Sequence, residues 1–267
     1  MSQPSARTAL VTGASSGIGR AVTAALAERG YRVVGTSRDP ATITDPVPGV
    51  EYVALDLADD ASVDACAEHV GAVDVLVNNA GESQSGPFEE LPGEAVERLF
   101  RINVFGAVRL TQLVLPGMRE RGYGRVVVVG SMLASFPLAY RSSYVASKAA
   151  VKGFANALRR EVSPYGVGVS TVEPGSINTG ISERRTQYLQ EGSPFREEYR
   201  TMLSALNSNE SEGISAERVA GTVLRAIDAP TPRPLYAVGS NAPVVFALRR
   251  LFPRSLMLRI VARKHGL

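Results

Sequence analysis

The sequence predicts an α/β fold: a doubly wound parallel sheet with helices on both faces. Three observations lead to it. Short β-branched runs alternate with helical patterns along the chain. The first of these runs, residues 8–12, reads as a buried strand, the kind found in sheets covered on both sides. A glycine-rich turn at residues 12–19 then joins that strand to the first helical pattern. Right-handed crossovers between such parallel strands wind the sheet in both directions.

The elements follow in order. A helix is expected over about residues 17–29, a second strand over 32–36 and a third over 50–55. A helix near 62–70 leads to a fourth strand at 73–78, and one long helical stretch covers about 93–121. Residues 125–130, an arginine, four valines and a glycine, form a fifth strand. A helix over 143–161, a sixth strand at 168–173, a helix near 216–229 and a last strand at 235–238 complete the pattern. There are no internal repeats. Residues 1–240 are read as one dinucleotide-binding and catalytic unit, and 241–267 as a basic amphipathic helical extension. The polar, interrupted stretch at about 176–213 carries Gly180, Gly192 and Pro194. It is too long for an ordinary connection, so a mobile lid or substrate loop is expected.

Composition excludes several classes. The chain has 267 residues, 45% of them apolar, enough for a substantial core. Its one cysteine, Cys66, rules out an intramolecular disulfide and reads as core filler. His69 and His265 lack ligand spacing, so no metal site is expected. Residues 1–8 are short and polar, and no apolar run reaches the ~18 residues of a membrane span. A cytoplasmic protein is expected. The net charge of +3 is uneven. Residues 229–267 hold seven Arg and Lys and no acid, leaving 22 basic against 26 acidic residues in 1–228. A nucleic-acid surface on the body is therefore not expected.

The turn Thr12-Gly13-Ala14-Ser15-Ser16-Gly17-Ile18-Gly19 has the context of a phosphate cradle. Gly13 permits the tight turn. Gly17 and Gly19 let backbone and helix approach a pyrophosphate, and the helix N-terminus offers N–H groups and a positive dipole. The spacing Gly-x-x-x-Gly-x-Gly differs from the general fingerprint. The second strand ends Gly35-Thr36-Ser37-Arg38-Asp39. Thr36 stands where an acid would bind the ribose hydroxyl of NAD, and Arg38 can pair with a 2′-phosphate. This favours NADP(H). NAD(H) stays open, with Arg38 as an exposed loop residue and Asp39 on the ribose. Asp56 can accept from adenine beside Leu57, or cap the next helix.

Further along stand Asn78-Asn79-Ala80-Gly81, Asn103, Gly130-Ser131, Tyr144-Val145-Ala146-Ser147-Lys148 and Pro174-Gly175. In this order they resemble the short-chain dehydrogenase/reductase family to about residue 240, which implies a single-domain Rossmann-type fold. Four residues apart on a helix, Tyr144 and Lys148 share a face. An isolated tyrosine titrates near about 10, and a neighbouring ammonium stabilises phenolate. Tyr144 is thus expected to protonate a carbonyl oxygen or take an alcohol proton, with Lys148 also holding the nicotinamide ribose. Ser131 is expected to orient the substrate oxygen. The resemblance further implies that Asn103 holds a water linking Lys148 to solvent. It puts the loop Pro174-Gly175-Ser176-Ile177-Asn178-Thr179 on the carboxamide side of the nicotinamide, with Ile177 and Thr179 in contact. Asn79, in the run with Ala80 and Gly81, is expected under the adenine ribose, and Asn78 in the sheet. Ser147 lacks a histidine partner for a nucleophilic role, and Glu89-Glu90 reads as a helix cap.

The extension past Gly239 resembles the branch with retinol and 17β-hydroxysteroid dehydrogenases. It implies a small lipophilic ketone or secondary alcohol: steroid-, retinoid- or polyketide-like. Met132, Leu133, Phe136 and Tyr140 are expected to line its pocket. Alternatives are a 3-oxoacyl reductase of fatty acid or polyketide type and a non-enzymatic NADP-binding regulator. In the tail, Pro253 should separate two short helices. The tail either packs on the body and rims the cleft or makes peripheral contact with an anionic membrane or a partner. Family members associate through the helices at 93–121 and 143–161, which implies a homodimer or homotetramer.

Overall fold

The apolar β-branched runs do form strands, and they lie side by side in one sheet. A computed structural model describes residues 6–180 and 183–267. The expectation for the polar N-terminus falls mostly on Met1–Ser5, and Ile181 and Ser182 lie within the expected substrate loop; both pieces are outside the described residues. The chain runs β1 (Thr8–Val11), α1 (Gly17–Ala27), β2 (Arg32–Ser37), β3 (Glu51–Ala54), α2 (Asp60–Val70) and β4 (Val75–Asn78). The short β5 (Gln84–Ser85) precedes α3 (Gly93–Phe100), α4 (Ala107–Glu120), β6 (Gly124–Val129), α5 (Ser142–Val162) and β7 (Val167–Pro174). Then come β8 (Thr186–Gln187), α6 (Arg196–Ser211), α7 (Ala216–Asp228), β9 (Leu235–Val238), α8 (Ala242–Leu251) and α9 (Arg254–Lys264).

The main sheet has the order β3-β2-β1-β4-β6-β7-β9, with every pairing parallel. Side chains alternate between its faces, as the strand repeat of two demands. Leu10, Leu76, Val126 and Val128 pack with Val63 of α2, Leu110 of α4 and Val151 of α5. Val11, Val75, Val77, Val127 and Val129 pack on the other side with Val22 of α1 and Val223 of α7. Cys66 sits in the first of these cores, where burial pushes its thiol up to about 11. Strand order reverses between β1 and β4. That switch point opens the crevice in which such sheets hold ligands.

Two expectations need correction. The long helix at 93–121 is broken by a π-helical turn, Arg101–Gly106, between α3 and α4. Close approach of a neighbouring segment accompanies the break: a Cβ on Gly106 would lie 2.3 Å from the Leu57 carbonyl oxygen. The expected loop at 176–213 is also more regular than its composition suggested. Thr186–Gln187 pairs in parallel with Gln84–Ser85, and α6 occupies 16 residues. Tyr199, Met202 and Leu206 of α6 are buried at helical spacing, which decides the segment's structure despite its polar surroundings.

The tail divides at Pro253 into α8 and α9. Phe246 meets Phe136 edge-on at 5.0 Å, and Ala242 and Met257 join a cluster with Met132 and Phe136. Among the described residues no helix is long and apolar enough to cross a membrane.

Candidate active site

A cleft of about 940 Å³ runs along the C-terminal ends of the central strands. Its floor is the turn after β1. Gly13 and Gly17 have φ of +65° and +53°, conformations that side chains disfavour. Thr12 Oγ1 accepts from the amides of Asn79 and Ala80, both at 3.0 Å. Asn79 Nδ2 donates to the carbonyls of Thr12 and Gly13 at 2.9 and 3.2 Å. Ser15, Ser16 and Ile18 complete this wall. The first N–H groups of α1 have no partner within the helix. Ser16, its N-cap, makes no side-chain capping bond.

Gly19 packs too closely on Gly13 for any side chain. A Cβ there would lie 2.0 Å from the Gly13 carbonyl oxygen and 2.6 Å from Asn79 Nδ2. Gly19→Ala is therefore expected to cost about 1–3 kcal/mol in thermal unfolding. The control is Gly221→Ala in α7, where a Cβ meets nothing within 4 Å. It should gain up to ~1 kcal/mol from helix propensity. Equal effects at the two sites would contradict this account of the turn.

At the far end, no carboxylate terminates β2. Thr36 Oγ1 accepts from Gly13 N at 3.4 Å. Asp39 also lines the cleft, and its Oδ1 accepts from Ala41 N at 3.0 Å, capping the short turn Pro40–Thr42. Arg38 lies on the cleft wall with its side chain 73% exposed, 3.9 Å from Glu82 Oε1. Asp56 and Leu57 face the same cleft. Asp56 Oδ1 accepts from Ala58 N at 2.9 Å, while Asp59 caps α2.

A second, mainly apolar pocket of about 180 Å³ adjoins this cleft. Met132, Leu133 and Phe136 line it from the body, and Val245, Met257 and Val261 from the tail. Tyr140 does not. Its φ of +62° turns the ring against Phe195 and Tyr199, at centroid distances of 6.4 and 5.6 Å. Pro174 and Gly175 line this pocket, Thr179 lines the larger cleft, and Ile177 borders both. Gly130 and Tyr144 also border both, and Ser131 lies on the pocket side.

The helix α5 carries Tyr144 and Lys148, each 7% exposed. Lys148 Nζ lies 6.0 Å from the Tyr144 ring centre and donates to the Val129 carbonyl at 3.1 Å. Ser131 Oγ accepts from Leu133 N at 3.2 Å. Asn103 sits in the π-helical turn, a form enriched at functional sites. Its Oδ1 accepts from Glu82 N at 2.8 Å; its Nδ2 donates to Glu82 O at 3.0 Å and Ser147 Oγ at 3.1 Å. A Cβ on Gly81 would stand 2.9 Å from Asn103 Oδ1 and 3.5 Å from Lys148 Nζ, so glycine keeps this corner open. Asn78 lies apart, donating to Thr111 Oγ1 at 2.9 Å. Glu90 does not cap α3; its carboxylate accepts from Gln190 N at 2.9 Å.

The model of the family described as short chain dehydrogenase matches residues 7–190. The chain belongs to the short-chain dehydrogenase family. It is 30% identical to a 3-ketodihydrosphingosine reductase of Bacteroides thetaiotaomicron, over 95% of this chain and 96% of that one. It is 35% identical to human 17-beta-hydroxysteroid dehydrogenase type 1, over 84% of this chain and 74% of the relative. A short-chain dehydrogenase from Streptomyces avermitilis superposes with a TM-score of 0.82 at 37% identity, covering 94% of this chain and 93% of that one. Another, from Burkholderia cenocepacia in complex with NADP, gives 0.77 at 26% identity, covering 96% and 97%. As a member of this family the protein is an oxidoreductase acting on CH–OH groups.

Three cations of this short-chain dehydrogenase escaped the sequence reading. Arg98 lines the larger cleft from α3 and holds Glu82 at 2.7 Å; only tertiary packing brings it there. Arg184 reaches the turn after β1, donating to Ser16 Oγ at 2.9 Å and the Thr179 carbonyl at 3.2 Å. The doublet Arg184-Arg185 in a polar stretch was its only trace in sequence. Arg141 precedes the first residue of α5, outside the helical repeat, and only the fold brings its guanidinium over the Tyr144 ring.

Proposed function

We propose that the protein is an NADP(H)-dependent oxidoreductase for a lipophilic ketone or secondary alcohol, of steroid, retinoid or polyketide type. One observation carries this reading: Tyr144 stands where the dinucleotide cleft and the apolar pocket meet. The names of the two curated relatives, a ketosphingoid reductase and a hydroxysteroid dehydrogenase, support a lipophilic substrate. The glycine cradle after β1, too close for any Cβ at Gly19, fits a pyrophosphate. Gly13, Ser15, Ser16, Gly17 and Ile18 would hold it, with Arg184 adding a cation. Arg38 would pair with the 2′-phosphate, and Asp56, Leu57, Asn79, Ala80 and Gly81 would line the adenosine half. Pro174, Gly175, Ile177 and Thr179 would border the nicotinamide half.

A nicotinamide held by these residues would supply the hydride in reduction and receive it in oxidation. Tyr144 gives its hydroxyl proton to the carbonyl oxygen in reduction and takes the alcohol proton in oxidation. Lys148 stabilises the phenolate formed and holds the ribose. Ser131 fixes the substrate oxygen by hydrogen bonding. Asn103 braces the Lys148 corner and holds the water through which the proton is replaced. Apolar walls from Met132, Phe136 and the tail exclude bulk water around the reacting carbon.

Two further parts belong to this reading. The tail forms the pocket's outer wall, and Val244, Leu251 and Phe252 remain exposed on it as candidate contacts for a membrane surface. Phe105, Leu113 and Phe154 are exposed on the π-helical turn, α4 and α5, which supports a homodimer or homotetramer through those helices.

Arg38→Asp tests the cofactor assignment. NADPH affinity should fall about tenfold or more, the worth of a charge-assisted hydrogen bond, with NADH little changed. An unchanged preference in fluorescence titration would place the 2′-phosphate elsewhere.

A further inference from the structure

Arg141 stands at the N-cap of α5 and is only 2% exposed. Its guanidinium carbon lies 4.4 Å from the centre of the Tyr144 ring. Nη2 donates to Ser83 Oγ at 3.0 Å. Among the described residues, Nε and Nη1 have no hydrogen-bond partner. Burial, with the Arg185 charge beside it, lowers this guanidinium to about 10, so it remains cationic at neutral pH. A buried cation so poorly satisfied is costly and calls for a compensating anion.

The surroundings supply little of one. Arg185 takes Glu210 with both carboxylate oxygens, at 2.7 and 2.6 Å, and Asn207 Oδ1 at 2.7 Å. Glu210 acts on Arg141 through space, as does the Tyr199 phenol, which itself bonds Ser85 Oγ at 2.8 Å. Lys148 faces Tyr144 from one turn along α5. Lys264 at the end of α9 borders the same pocket, as does His265, whose burial holds its imidazole below the usual histidine range. Two cations, Arg141 and Lys264, thus border this pocket with Glu210, already held by Arg185, and Lys148 adds a third beside the Tyr144 ring. The first turn of α5, where Tyr144 sits, adds the positive end of the helix dipole. The strained left-handed backbone of Tyr140 immediately precedes Arg141. Strain of this kind persists where the surroundings hold it for a reason.

We infer that Arg141 is a positioning residue for the reaction: with Lys148 it is a second cation against which the Tyr144 hydroxyl ionises. The compensating anion is the phenolate itself, present when Tyr144 is poised to take the alcohol proton. Coupling between two charges is mutual, so the burial that makes Arg141 costly makes it effective on Tyr144.

This inference rests on the oxidoreductase reading, and the test keeps the two apart. Phenolate absorbance is titrated with pH in wild type and in Arg141→Gln, each against its own Tyr144→Phe counterpart. The difference isolates Tyr144 among nine tyrosines and needs no substrate. The Tyr144 phenolate should appear about one unit or more higher in pH when the cation is removed. The rise of NADP-dependent alcohol oxidation with pH should move in the same direction. Arg141→Lys, which keeps a cation, should restore most of both. Unmoved titrations in a folded Arg141→Gln protein, or equal shifts in the Lys and Gln variants, would overturn the inference. If Arg141→Gln does not fold, Arg141→Lys against wild type decides: a shift as large as one unit would sink it. Absence of any dinucleotide-dependent turnover in wild type would instead count against the oxidoreductase reading.

Discussion

Tyr144→Phe is expected to lower kcat by about 10²–10⁴-fold, the usual contribution of a positioned acid or base. Phenylalanine keeps the ring that packs against Arg141 and borders both cavities, and removes only the oxygen that carries the proton. Dinucleotide affinity and thermal stability should change little. Lys148 would still hold the Val129 carbonyl and face the cleft. The effect should therefore fall on kcat rather than on cofactor binding, separable by steady-state kinetics alongside a binding titration. Full activity in this variant would remove Tyr144 from the chemistry.

The largest loss of stability is expected from Lys152→Met. Glu173 of β7 is fully buried, and Lys152 Nζ meets its Oε1 at 2.6 Å. Ser135 Oγ donates to the other carboxylate oxygen at 2.8 Å and also contacts Lys152 at 2.6 Å. Removing the lysine leaves a carboxylate in the core with one hydrogen bond, at a cost of about 3–5 kcal/mol. Replacing both charges, in Lys152→Met with Glu173→Met, should recover most of that loss, because a well-packed apolar pair needs no compensation. Urea denaturation reads both values. A loss under about 1 kcal/mol in the single variant would mean that water reaches Glu173.

Much of the fold was written in local pattern. Runs such as Val126–Val129 have the composition of strands covered on both sides, and the turn at Gly13–Gly19 can only lie where backbone meets backbone. The Tyr144–Lys148 spacing puts two groups on one helix face before any packing is known. What escaped was set by tertiary contact. The π-helical turn at Arg101–Gly106 comes with a close approach of Gly106 to Leu57, a tertiary contact that no periodicity records. The helix α6 carries three buried side chains in an otherwise polar stretch, too weak a stripe to outweigh Gly192 and Pro194 beside it. Tyr140 reads as an apolar pocket residue, but its left-handed backbone turns it toward Tyr199. Asp39 lines the cleft beside Arg38 and also caps the Pro40–Thr42 turn through one carboxylate oxygen, a local bond that no sequence pattern records.

The central claim is that Tyr144 serves a lipophilic carbonyl delivered beside NADPH. The most direct measurement is NADPH oxidation by the wild-type chain against a panel of steroid, retinoid, acyclic β-keto and polycyclic ketones. NADH runs in parallel, with Tyr144→Phe as the control. The account predicts turnover with at least one lipophilic class, faster with NADPH than with NADH and lost in Tyr144→Phe. Tight NADPH binding without turnover of any ketone in the panel would contradict it and favour an NADP-binding regulator.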